Sequence, residues 1–151
     1  MFTFLGGNME NKELIKLAIE ARENAYAPYS HWKVGAALLT TNGRIYKGCN
    51  IENSAFTGTS CAERTAFFKA ISEGEMEFEK IAVVGGDENL GLTGICTPCG
   101  VCRQVMSEFC DPDKFKIICA KSTDEYEEYS LRELLPNVNY VAVNDGYGFK
   151  G

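Results

Sequence analysis

The chain has 151 residues, 45% of them hydrophobic and 24% charged, which suits one globular domain large enough to bury a core. Its formal net charge is −6 and it has no Lys/Arg run, which argues against a polynucleotide partner and for a small substrate. No stretch approaches a membrane span, and the opening residues 1–7 have neither the basic start nor the apolar core of a signal peptide.

In chain order, residues 1–8 read as a loose terminus. A helix is expected over 9–26: Leu14, Leu17, Ala18, Ala21 and Ala25 recur at helical spacing, and Pro28 ends it. Residues 34–39 form an apolar strand. Thr41-Asn42-Gly43-Arg44 is a hairpin turn through Asn-Gly, and 45–50 is the returning strand. A polar loop spans 51–60 and a helix follows over 61–73. A buried strand is expected at 79–85, a loop at 87–98, a helix at 99–109, a strand at 115–120 and a short strand at 126–129. The order αββαβαββ implies one α/β domain, a mixed sheet with helices on its faces. Loops precede the helices at 61 and 99, so both helix N-termini can meet at one sheet edge.

Seven cysteines are present: Cys49, Cys61, Cys96, Cys99, Cys102, Cys110 and Cys119. The odd number and the missing signal peptide suggest reduced thiols in the cytoplasm, serving as metal ligands or as small buried apolar residues. Cys99 and Cys102 lie three apart, on one helix face. Pro98 suits helix entry and Ser60 can cap the helix at 61, which places Cys61 and Cys99 in first turns. The partial positive charge there favours thiolates. Three thiolates with one open position beside a carboxylate, Glu63, are the inventory of a catalytic zinc site. Pro98 should separate Cys96 from the helical pair, so Cys96 is expected outside the site.

Each reading has a plainer rival. Cys96 could complete a closed four-cysteine site or pair with Cys99 as a redox couple. Ser60-Cys61-Ala62-Glu63 fits a capping box, in which Glu63 would only bond the Ser60 backbone. Arg64, three residues after Cys61, could offset the negative charge of the thiolates or be a surface arginine. Arg103 carries the same ambiguity. A structural zinc module and a nucleic-acid-editing deaminase remain as alternatives.

Cys61-Ala62-Glu63 followed by Pro98-Cys99-Gly100-Val101-Cys102 resembles the zinc deaminases. The likeness extends over residues 12–136. The segment from Pro28 through Trp32 and Val34 to Leu39 is similar to the substrate-side strand of cytidine deaminases. Gly48-Cys49-Asn50-Ile51-Glu52-Asn53 resembles their ribose-binding motif. Cys61-Ala62-Glu63-Arg64-Thr65-Ala66 and the run from Cys99 to Met106 resemble the zinc motifs of the small, all-cysteine, homotetrameric class. Glu133-Leu134-Leu135-Pro136 also fits. The resemblance implies a three-layer α-β-α fold with a mixed five-stranded sheet and one zinc ion on Cys61, Cys99 and Cys102. It implies hydrolytic deamination of cytidine and 2′-deoxycytidine with release of ammonia. Glu63 would carry the proton, the Ala62 N–H would hold the base carbonyl, and Asn50 and Glu52 would hold the ribose 3′-hydroxyl. Trp32 and Val34 would face the base, and Arg64 would support the sulfurs.

The chain departs from the pattern at several points. Trp32 replaces the usual Phe. Phe56 replaces a common Tyr, removing a hydroxyl contact to the sugar across a subunit boundary, and the loop 56–59 differs. The stretch 137–151 diverges: Asn139 stands where a pocket-closing Phe is usual, and Tyr140, Tyr147 or Phe149 would have to close the pocket. This aromatic, Gly-rich tail is similar to that of blasticidin deaminases, which makes an aminonucleoside-antibiotic deaminase the alternative function.

Overall fold

The structure is a computed structural model that describes residues 2–3 and 9–138. Its elements are β1 (Phe2–Thr3), α1 (Asn11–Arg22), β2 (Trp32–Thr40), β3 (Arg44–Cys49), α2 (Ala62–Ser72), β4 (Phe78–Asp87), α3 (Gly100–Phe109), β5 (Lys116–Ala120), β6 (Tyr126–Ser130) and α4 (Leu131–Leu134). Residues 35–40 of β2 and 81–86 of β4 are buried without a break. Strands of that kind must be covered on both faces. Ala36, Leu38, Ile81 and Val83 point one way, with Tyr46 and Ile117, into a core closed by Ala66 and Phe67 of α2 and Met106 of α3. Ala37, Leu39, Ala82 and Val84 point the other way, against Leu14, Ile15 and Ala18 of α1. The result is the expected α-β-α sandwich.

The sheet order is β1-β3-β2-β4-β5-β6. The pairs β2–β3, β2–β4 and β5–β6 are antiparallel, and β4–β5 is parallel, with α3 in the crossover. Five of these strands are the expected mixed sheet. The sixth, β1, adds a two-residue pairing of Phe2 with Ile45 and Thr3 with Arg44. The hairpin turn is confirmed: Gly43 takes φ +85° and its N–H donates to the Thr40 carbonyl at 3.1 Å.

Helix boundaries shift for local reasons. α1 stops at Arg22, four residues short of Tyr26, because the chain leaves the helix to pair with the loop that follows β3. The Tyr26 N–H donates to the Asn50 carbonyl at 3.0 Å, and the Glu52 N–H donates to the Tyr26 carbonyl at 2.8 Å. The loop after β3 is closed by paired bonds between Ile51 and Ser60, both 2.9 Å. α2 and α3 each begin one residue later than expected, with Cys61 and Cys99 as N-caps in extended conformation. α4 was not expected, although Ser130-Leu131-Arg132-Glu133 is a true capping box.

Gly48 of β3 lies beneath the start of α2. A Cβ there would come within 2.4 Å of the Ala62 carbonyl oxygen and 2.5 Å of the Ala66 nitrogen. A bare backbone at this position lets the helix that carries Cys61 and Glu63 sit directly on the sheet. Among the described residues, no helix is long and apolar enough to cross a membrane. The tail aromatics Tyr140, Tyr147 and Phe149, and Asn139, lie outside the described residues.

Candidate metal centre and pocket

The N-termini of α2 and α3 meet as the loop positions implied. Cys61 caps one helix and Cys99 the other, and Cys102 stands in the first turn of α3. The Cys61 and Cys99 sulfurs are 3.7 Å apart, and those of Cys99 and Cys102 are 3.6 Å apart. All three sulfurs lie within 4.8 Å of one another. Tetrahedral zinc at about 2.3 Å from each sulfur requires sulfurs about 3.8 Å apart, so the donor set fits that ion in both type and spacing. Cys61, Cys99 and Cys102 are the one such group among the described residues.

Electrostatics make Cys61 the anionic member of the group, while the hydrogen bond to Cys61 and burial push the Cys102 thiol well up. A hydrogen bond from the Cys102 thiol, aided by the Arg64 guanidinium, holds the Cys61 thiol well below its ordinary range. Arg64 Nη2 lies 3.4 Å from the Cys61 sulfur and 3.5 Å from the Thr59 carbonyl oxygen. Its Nε is buried with no hydrogen-bond partner. Arg64 is therefore not the surface arginine of the plainer reading: its charge is spent on the sulfurs, where three thiolates around a divalent cation leave a net negative charge.

The capping-box reading of Glu63 also fails. The Ser60 N–H that Glu63 would need donates to Ile51, and the Ser60 hydroxyl donates to the Cys61 carbonyl at 3.3 Å. α2 has no side-chain cap. Glu63 is instead 3% exposed, and burial pushes its carboxyl up to about 7. A carboxyl in that range can both take up and give back a proton near neutral pH.

A cleft of about 350 Å³ opens beside the sulfurs. The expected substrate residues Trp32, Val34, Asn50, Glu52 and Ala62 line it, together with Cys61, Glu63 and Cys99. Asn50 follows the last residue of β3. Its Oδ1 accepts from the Val34 N–H at 2.8 Å and its Nδ2 donates to the Trp32 carbonyl at 2.8 Å. The carboxylate of Glu52 accepts from the N–H groups of Tyr29 and Ser30 through one oxygen, at 3.0 and 3.1 Å. Both side chains therefore hold the pocket wall while facing the cleft. Phe56 is not part of the lining: it sits in a 3-10 turn, Phe56–Gly58, and is 88% exposed.

Sequence reasoning did not single out Ser30, Thr59 or Thr97 and read Ser60 only as a helix cap, yet all four line the cleft. They flank the recognised motifs, and proximity to those motifs was the available signal. Cys96 lines the cleft too, but its sulfur is outside the group of three. Burial pushes its thiol up to about 11, while the Trp32 indole donates to it. Cys96 is thus a neutral wall residue, and the closed four-cysteine site is not formed.

Comparison with known proteins agrees with this geometry. Residues 9–119 match the family model described as the cytidine and deoxycytidylate deaminase zinc-binding region. A cytidine deaminase of Sporosarcina psychrophila is 48% identical over 128 residues, which cover 85% of this chain and 90% of that protein. The blasticidin-S deaminase of Bacillus cereus is 31% identical over 132 residues, covering 85% and 91%. The crystal structure of a cytidine deaminase from Burkholderia pseudomallei superposes with a TM-score of 0.78 at 43% identity, covering 87% of this chain and all of that one.

Proposed function

The chain belongs to the cytidine and deoxycytidylate deaminase family and is a zinc-dependent cytidine deaminase, and we propose how its own residues divide the work. The reading rests on one observation: a buried carboxylate, Glu63, stands two residues from one of three sulfurs at zinc spacing, inside a cleft of small-molecule size. Cys61, Cys99 and Cys102 hold the zinc. When bound, the ion acts as a Lewis acid and lowers the pKa of water at the open position.

Glu63 takes the proton of the attacking water and delivers it to N3 of the pyrimidine. The water oxygen bonds to C4, and the C4–N4 bond then breaks. Glu63 takes a second proton from the new C4 hydroxyl, leaving C4=O, and hands it to the departing nitrogen, so cytidine and water become uridine and ammonia. Ala62 is the first residue of α2, and its N–H has no acceptor within the helix. It is free to hold the base carbonyl. Asn50 has an amide hydrogen beyond its bond to Trp32, and Glu52 has a second carboxylate oxygen, so both can meet the ribose hydroxyls. Trp32 and Val34 form the wall against the base. Arg64 limits the negative charge of the sulfurs and so keeps the metal acidic.

The test is ammonia release from purified protein given cytidine, 2′-deoxycytidine and blasticidin S in parallel. Turnover of the two nucleosides is expected. Turnover of blasticidin S alone would overturn the ribose roles of Asn50 and Glu52 and favour the antibiotic as substrate.

A homotetramer in the cytoplasm completes the reading. Seven free cysteines support a reducing compartment. Phe56 at 88% exposure beside the site, and Phe68 at 50%, are large apolar groups suited to cover by a neighbouring subunit. Light scattering should give about four times the 16.7 kDa chain mass, and a monomer would overturn the assembly.

A further inference from the structure

Arg103 follows the ligand Cys102 in α3, yet its side chain turns back over the helix start. Nε donates to the Pro98 carbonyl at 2.7 Å, and Nη1 donates to the Leu134 carbonyl at 2.8 Å. Its backbone N–H donates to the Cys99 carbonyl at 3.0 Å. The Pro98 carbonyl belongs to the peptide that enters Cys99, and the Cys99 carbonyl to the peptide that leaves it. The side chain thus holds the rigid plane that enters this ligand, the first backbone bond of α3 holds the plane that leaves it, and those planes fix where its Cβ and sulfur point.

Cys99 has particular need of such a hold. It is the exposed member of the three and caps its helix with extended backbone, whereas Cys102 is buried within the helix and Cys61 is held by Arg64. Pro98 has no N–H with which to fix itself.

The far end of the bridge is well anchored. Leu134 ends α4, which Ser130 and Glu133 cap reciprocally, the Glu133 N–H donating to the Ser130 hydroxyl at 3.2 Å. Leu131 is fully buried, and Arg132 reaches both carboxylate oxygens of Asp113, at 2.6 and 2.9 Å. A lysine could not reproduce the bridge: its ammonium is a compact point charge, whereas the guanidinium fork spans two carbonyls at once.

We infer that Arg103 is a positioning residue, one that aims the Cys99 sulfur at the metal by clamping the peptide that enters Cys99 to α4. The inference rests on the zinc reading above. Its test compares Arg103→Lys and Arg103→Met with the unmodified holoenzyme. The readouts are the rate of zinc release to an excess of a colorimetric chelator, and kcat and KM for cytidine. Both variants should release zinc about 10–100-fold faster, the usual effect of losing a group that orients a metal ligand. kcat should fall with KM nearly unchanged, because Asn50 and Glu52 are untouched. A lysine variant that keeps zinc as the unmodified protein does would show that charge, not geometry, matters, and would overturn the inference. So would unaltered zinc release in both variants, even with a lower Tm. If the methionine variant does not fold, the lysine variant decides alone. Absence of zinc from the unmodified protein would instead sink the zinc reading, and this inference with it.

Discussion

Glu63→Gln should retain one zinc per chain and the wild-type fold while losing about 10²–10⁴-fold in kcat, the range expected for a positioned general acid/base. That corresponds to about 3–5 kcal/mol of barrier. The substitution is nearly isosteric, and the pocket already holds this side chain at 3% exposure, so packing is preserved. What is lost is the ability to accept a proton from water and return it to the base. The sulfurs of Cys61, Cys99 and Cys102 are untouched, so metal content measured by elemental analysis should stay at one. Turnover near the wild-type level would remove Glu63 from the mechanism. Loss of zinc in parallel with activity would instead place it in support of the metal. The plainest rival, a helix cap, is already excluded because Ile51 occupies the Ser60 N–H.

Gly48→Ala should produce a large loss of stability from a single methyl group. The added Cβ would lie 2.4 Å from the Ala62 carbonyl oxygen and 2.5 Å from the Ala66 nitrogen, both backbone atoms of α2. Side chains can rotate away from such a contact, but helix backbone cannot. α2 must therefore lift from the sheet and open the core around Phe67, which is fully buried against Phe78 and Phe115. Overpacking costs about 1–3 kcal/mol, and the top of that range applies where helix backbone must move. For a chain of this size that is a fall in Tm of roughly 6–12 °C. Activity should fall further than stability predicts, because Ala62, Glu63 and Arg64 ride on the displaced turn. A shift of about 1 Å at reacting groups can cost about 100-fold. Thermal melts and kcat measured on the same sample check both parts, and an unchanged Tm would contradict the packing argument.

Two of the S-x-x-E segments show how far local pattern carries. Ser60-Cys61-Ala62-Glu63 and Ser130-Leu131-Arg132-Glu133 are the same signal, but only the second is a capping box. At the first, the loop after β3 closes on itself through Ile51 and takes the N–H the box would need. That bond joins residues nine apart, across a loop whose path is set by the sheet. The helical pattern of α1 likewise ran past its true end, because the pull of Tyr26 into pairing with Asn50 and Glu52 is tertiary. The α4 helix was missed because its four residues are too few for periodicity to register.

By itself the sequence determined the α/β class, a mixed sheet with helices on its faces, the Asn-Gly turn, and the cysteines and carboxylate from which the site is drawn. These follow from short-range facts: runs of apolar residues, helical spacing, and the affinity of thiolates for zinc. The tertiary structure alone decided which cysteine stays out, what Arg64 and Arg103 do, and whether Glu63 caps a helix or faces the cleft. Each of those depends on distances between atoms far apart in the chain. Cys61 and Cys99 are separated by 38 residues and meet at 3.7 Å because two helices start at the same edge of one sheet. Arg103 reaches Leu134, 31 residues away, only because α4 packs back beside α3. Spacing along a chain names the groups that can do chemistry, and the fold sets the dielectric, the partners and the angles that assign each one its task.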